Sequence, residues 1–262
     1  MHMSQQVIKG TAKLSEAIRS RRMELGLTIE EAALRANVGT KTWCRYEAGE
    51  SIRRDKAKGI CKALNWNTIP NNDRENDIVF NIDEYKNHEA WSEYISECYG
   101  EAAAISFVIG SDILLDFVEE DLNELSGLPK GTHVGQLMLS MMKDMLPEQF
   151  LMKYDYDFLY CLKVCIMKLR QVAHNNVTMV AHTVMEELAI YLIVEEAEFL
   201  METLSGEMKE YGIEDVDMWK DWIFDLFGDM DIVTCLYSND YLTCDHIYHF
   251  NYWMEDQFYC EQ

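Results

Sequence analysis

The sequence predicts an all-α protein in two parts, a small N-terminal domain of four to five helices (1–68) and a larger irregular helical bundle (77–262), joined by a linker at 69–76. Three observations carry this. Only three prolines and thirteen glycines interrupt 262 residues. Apolar side chains recur at i, i+3, i+4 spacing over long stretches, the period of a helix with one buried face. Charge divides the chain: through Trp66 there are thirteen Lys/Arg against seven Asp/Glu, and after it ten against thirty-nine, so a net of +6 is followed by a net of −29. A polyanion attracts the first part and repels the second. With 48% apolar residues the acidic part is rich enough to pack a core, unlike a disordered acidic tail.

The N-terminal elements follow from periodicity and caps. Leu14, Ala17, Ile18 and Met23 or Leu25 lie at helical spacing, and Gly26 is placed to end that helix. Thr28 with Glu31 three residues on forms the pattern of a capping box, opening a second helix that runs to about Ala36. Asn37-Val38-Gly39 supplies a turn. Thr40 is expected to cap a third helix through Glu47, closed by Gly49.

The stretch from Leu14 to Thr28 (LSEAIRSRRMELGLT), then Glu-Glu-Ala-Ala, then VGTKTWCRYEAG from Val38, resembles the Xre family of phage-repressor and Cro-type helix-turn-helix domains. The likeness covers about a fifth to a quarter of the chain, without gaps between its parts. It implies that the third helix enters a DNA major groove, with Thr40, Lys41, Thr42 and Arg45 at the positions that meet bases and adjacent phosphates. It further implies that Thr28 sits near the DNA backbone, that Arg53 and Arg54, in the loop before the next helix, touch that backbone, that Arg22 and Glu47 form an internal ion pair, and that Val38 and Trp43 are core. Ile29 departs from the family's usual polar residue, and Trp43 exceeds its usual Ile or Val.

In the acidic part, helices are expected at 85–99, 102–125, 134–146, 148–173, 177–208, 216–227 and 244–258, with a short extended piece at 78–80. Phe158, Cys161, Leu162, Cys165, Ile166, Leu169 and Val172 form one apolar face; the 184–194 segment is apolar nearly all around and suits a central helix. The acids Glu119, Glu120, Asp121 and Glu124, Glu186 and Glu187, Glu195, Glu196 and Glu198, and Glu214, Asp215 and Asp217 fall between apolar positions. They are read either as solvated helix faces or as a negative surface for a basic partner.

No catalytic pattern is found: there is no phosphate-cradling glycine loop and no HExxH. Cys244, His246, His249 and Cys260 are read as packing or surface residues, and neither metal nor cofactor is expected. Residues 1–10 lack the apolar core of a secretory leader, and the longest apolar run, Leu188 to Val194, is far short of the roughly 20 residues of a membrane span. A cytoplasmic protein with reduced, mostly buried thiols follows. The functional expectation is a DNA-binding transcriptional regulator, a repressor acting as a homodimer on double-stranded DNA. The alternative is an inhibitor or antitoxin-like protein whose acidic domain captures a basic nucleic-acid enzyme while the head regulates its own promoter.

Overall fold

The computed structural model describes residues 7–8, 10–53, 56–70, 80–227 and 232–237, and these are almost entirely helical. The chain divides into two compact units, residues 2–79 and residues 80–262.

The first unit holds strand β1 (Val7–Ile8), helices α1 (Ala12–Glu24), α2 (Ile29–Arg35) and α3 (Thr40–Glu47), strand β2 (Ile52–Arg53) and helix α4 (Ala57–Leu64). Thr11 caps α1 through its hydroxyl, and Gly26, at φ +67°, lets the chain leave. The Thr28–Glu31 capping box is formed in both directions, the Glu31 amide to Thr28 Oγ1 at 3.1 Å and the Thr28 amide to Glu31 Oε2 at 2.7 Å. Asn37 takes the left-handed turn at φ 52°. The N-cap of α3 is Gly39, which offers no side chain; Thr40 is already helical, so the cap expected of it is not made. Arg53 belongs to β2, where it pairs antiparallel with Val7, and not to a loop. Gly10 makes this ribbon possible, because a Cβ there would stand 2.1 Å from the Gly49 carbonyl oxygen. Leu14, Ile18, Val38, Trp43, Ile52, Ile60 and Leu64 form the buried core, with Ile29, Trp66 and Ile69 packed partly buried against it. Ile69, assigned by composition to the linker, thus adheres to the head.

The second unit runs through α5 (Ile82–Lys86), α6 (Glu93–Tyr99), α7 (Glu101–Ser126), α8 (Met142–Met145), α9 (Glu148–Leu151), α10 (Tyr156–His174), α11 (Val184–Tyr211) and α12 (Ile232–Tyr237), with 3₁₀ turns at Val134–Gln136, Asp215–Met218 and Asp221–Leu226. The helices expected at 85–99 and 148–173 are each broken in two. Ser92 caps α6, and the Asp155 side chain accepts the Phe158 amide at 3.0 Å to start α10 afresh. The segment expected to begin at 177 becomes helical only after Thr183, whose hydroxyl caps α11. Segments 134–146 and 216–227 are mostly 3₁₀ turns and irregular backbone. Residues 78–79 and 244–258, and with them Cys244, His246, His249 and Cys260, lie outside the described residues.

The long helices α7 and α11 are the axis of the bundle, packed on each other and buried over most of their circumference. Their contact is close because of one residue. A Cβ on Gly110 would lie 1.8 Å from the Ile193 carbonyl oxygen, a backbone atom that cannot step aside. Gly110→Ala should therefore push the two helices apart and cost about 1–3 kcal/mol, measured as a lower denaturant midpoint of the full chain with an unchanged slope.

Around this axis, several acids lie inside and not on solvated faces. Asp121, Glu186, Glu187 and Glu196 are all buried. Two have clear reasons: Asp121 accepts the Ser140 hydroxyl at 2.7 Å, and Glu186 accepts both the His182 amide at 2.7 Å and Lys168 Nζ at 2.6 Å. A helix buried on most sides has no outer face to which such residues can be assigned. Asp112 on α7, 1% exposed, is bonded by the Arg170 guanidinium of α10 and lies 3.2 Å from His88 Nε2. Arg170 also reaches Glu89 at 2.8 Å. Burial alone would raise the Asp112 pKa, but His88 and Arg170 outweigh it and hold the carboxyl at about 2.

Cysteines differ from expectation as well. Cys61 and Cys165 are buried, their thiols pushed up to about 12 by desolvation, whereas Cys44, Cys98 and Cys161 are exposed and free. Cys161 therefore leaves the apolar face on which periodicity placed it, and Val172 is only half-buried. Among the described residues, no helix is long and apolar enough to cross a membrane.

Candidate nucleic-acid interface

Helix α3 has two unlike faces because its sequence alternates them. Trp43, Tyr46 and Glu47 point inward and are buried; Thr40, Lys41, Cys44 and Arg45 are exposed, and Thr42 is half-buried. The outward set is small, hydroxylic or cationic, chemistry suited to base edges and phosphate oxygens.

What fixes the orientation of that face is Glu47. Its carboxylate receives Arg22 Nε at 2.5 Å and Arg22 NH2 at 3.2 Å, and the buried Trp43 indole N–H at 2.7 Å. Arg19 lies 3.6 Å from the same carboxylate and donates to the Glu47 carbonyl at 3.2 Å. Desolvation would raise the Glu47 pKa; the hydrogen bonds from Arg22 and Trp43, with the nearby positive charges, overcome this and hold it below the ordinary carboxylate range. Arg22 in turn donates to the Leu27 carbonyl at 2.9 Å, so α1, the turn before α2 and the end of α3 meet at one ion pair. The pairing of Arg22 with Glu47 is the one the resemblance implies. The indole bond was missed, although Trp and Glu at i, i+4 on an inward face signal it; it gives the buried Trp43 indole N–H its acceptor.

The other expected contact residues are placed as follows. Thr28 is exposed beside the start of α2 with its hydroxyl accepting the Glu31 amide, and that hydroxyl keeps its own proton to donate. Ile29, next to it, is half-buried against the core and supplies packing. Arg53 is half-buried in β2; Arg54 lies outside the described residues. Arg45 is exposed but not idle, since its Nε donates to Glu50 Oε2 at 2.8 Å and its NH2 stands 2.6 Å away. Both partners are solvent-exposed, so a phosphate can displace Glu50 at small cost.

Elsewhere, a cavity of about 440 Å³ lies between the end of α7 and the start of α10, lined by Leu125, Leu128, Lys130, Asp155, Tyr156 and Asp157 among others. Among the described residues no group of three or more His, Cys, Asp or Glu is arranged to hold a metal ion. No protein-family model, curated protein or solved structure matches this chain.

Proposed function

We propose that the chain is a cytoplasmic, sequence-specific DNA-binding regulator, a repressor whose first unit reads the major groove of double-stranded DNA with α3. The observation that carries this reading is the outer face of α3: Thr40, Lys41 and Arg45 exposed together on a helix locked from behind by Glu47. The charge division supports it, because +6 resides in a segment of 66 residues while the rest carries −29. A regulator so built keeps its acidic unit away from the duplex and relies on the cationic face for attraction. The alternative, capture of a basic enzyme by the acidic unit, loses Asp121, Glu186, Glu187 and Glu196, which are buried, and rests on the other acids of those clusters, such as Glu120, Glu124, Glu214 and Asp217, which are exposed.

The test is selection of duplexes from a randomised pool by the full chain, followed by variant titrations on the enriched site. Lys41→Ala and Arg45→Ala are each expected to weaken binding by roughly tenfold to a hundredfold and to relax the preference at one or two base pairs. Both should leave the thermal midpoint within about 2 °C, because neither side chain is buried. An enriched site bound equally well by both variants would remove α3 from the interface.

A further inference from the structure

The outer side of α10 carries a row of apolar side chains that the fold leaves uncovered. Tyr156, Tyr160, Val164 and Met167 are 42%, 54%, 49% and 52% exposed. Their spacings of four, four and three place them on one stripe, which the exposed Gln171 continues four residues on. The opposite side of the helix holds Phe158, Leu162, Ile166 and Leu169, which are buried, so the stripe is not a misplaced core face. Aromatic residues and methionine in a continuous exposed row are the composition of an interface centre.

We propose that this stripe is the seam of a homodimer, in which α10 packs antiparallel on α10 of a second copy across a two-fold axis near residues 162 and 163. Charge selects a second copy as occupant. Of the ten Lys/Arg after Trp66, four (Lys153, Lys163, Lys168 and Arg170) fall between 153 and 174, against two acids, Asp155 and Asp157. Arg170 is buried against Asp112, and Glu119 offsets Lys163, so the exposed strip is close to neutral within a region of −29 and is the place where two such acidic bodies approach with least repulsion. The pattern is also self-complementary. Asp157 and Lys168 are eleven positions apart, close to three whole turns, and so project on the same flank of the stripe. A two-fold axis midway between them sets Asp157 of each copy against Lys168 of the other, as an isologous contact requires. Lys163, nearest the axis on the other flank, is already neutralised by Glu119 at 3.0 Å, which removes the like-charge contact the symmetry would otherwise impose. Lys168 bonds Glu186 at 2.6 Å yet keeps its side chain 63% exposed, leaving it able to serve both carboxylates.

The dimer does not depend on the DNA-binding reading, and sedimentation of the full chain without DNA separates the two. The wild type should sediment as a dimer at micromolar concentration. Tyr160→Glu combined with Val164→Glu should raise the dissociation constant by about a hundredfold or more, with an unchanged helical circular dichroism spectrum because both positions are exposed. A zero-length carbodiimide link followed by peptide mass spectrometry should join Asp157 to Lys168. Within one chain these are about 16 Å apart along the helix, too far for such a bond, so the linked pair reports two antiparallel copies. A monomeric wild type, or a dimer that the double variant leaves intact, would overturn the proposal; so would a dimer in which Asp157 links only to other lysines.

Discussion

Arg170→Ala should destabilise the second unit by roughly 3–5 kcal/mol, the largest effect expected of any single substitution here. The guanidinium is 7% exposed and Asp112 is 1% exposed, so truncation leaves a carboxylate in the interior without the cation that pairs it. Removing one partner of a buried pair costs more than the pair itself contributes, because the survivor remains desolvated. Glu89→Ala is the control: its side chain is 60% exposed, and its contact with the same arginine should be worth less than about 1 kcal/mol. In a melt this is a drop of about 10 °C for Arg170→Ala against one or two for Glu89→Ala. Acid supplies an independent check with a definite sign. Asp112 is held at about 2 in the folded chain against an ordinary 3.8, so the folded state binds fewer protons and this stabilisation is complete above the ordinary value. It is lost as pH falls from about 4 toward 2 and amounts to about 2 kcal/mol. Stability should accordingly decline over that window in the wild type, and an Asp112→Asn chain, already weaker, should decline less.

Glu47→Ala is the second large effect, expected to lower the stability of the head by about 3 kcal/mol. One carboxylate satisfies the Arg22 guanidinium, whose side chain is 13% exposed, and the indole N–H of a fully buried Trp43. Its loss strands a charge and a donor together. Glu47→Gln keeps an acceptor for the indole and should cost roughly half as much. Arg21→Ala, which removes an exposed pair with Glu24 and a bond from Arg21 Nε to the Leu64 carbonyl at 3.0 Å but strands no buried charge, should cost about 1 kcal/mol. Because the folded Glu47 titrates below the ordinary carboxylate value of 4.5, its contribution is present above that value and disappears as pH falls below it. Limited proteolysis of the full chain, followed by mass spectrometry, resolves cleavage within 2–79 from cleavage elsewhere and checks both outcomes.

The head was legible where the determining partners are close in sequence. The Thr28–Glu31 box, the Asn37 turn and Gly26 are local signals, and Arg22 with Glu47 followed from the family likeness. The β1–β2 ribbon was not, since strands of two residues carry no periodicity and depend on Gly10 approaching Gly49 across the fold. In the second unit the long helices were visible but their ends were not. Apolar periodicity runs straight through Asp155 and Thr183, yet each side chain caps a new helix, and Thr183 with Glu186 is a capping signature that periodicity concealed. The buried acids escaped for a different reason. Alternation of acid and apolar residues reads as one wet and one dry face, a logic that fails for helices surrounded on most sides, as α7 and α11 are. Asp112 within the run of 102–115 was the readable clue, because a single charge there needs a partner. On the candidate interface Thr40, Lys41, Thr42 and Arg45 were named from the family resemblance, whereas the exposure of Cys44 and the tie between Arg45 and Glu50 depend on how the helix packs and on the turn after it.

The central claim, that the outer face of α3 grips DNA, is tested most directly by fluorescence anisotropy of a labelled random-sequence duplex titrated with the full chain across a salt series. Binding is expected at about 50 mM salt and should weaken steeply as salt rises, with a log–log slope reduced by about one for Lys41→Ala. No binding at low salt, or binding whose affinity and slope are unmoved by replacing Lys41 and Arg45 together with alanine, would contradict it.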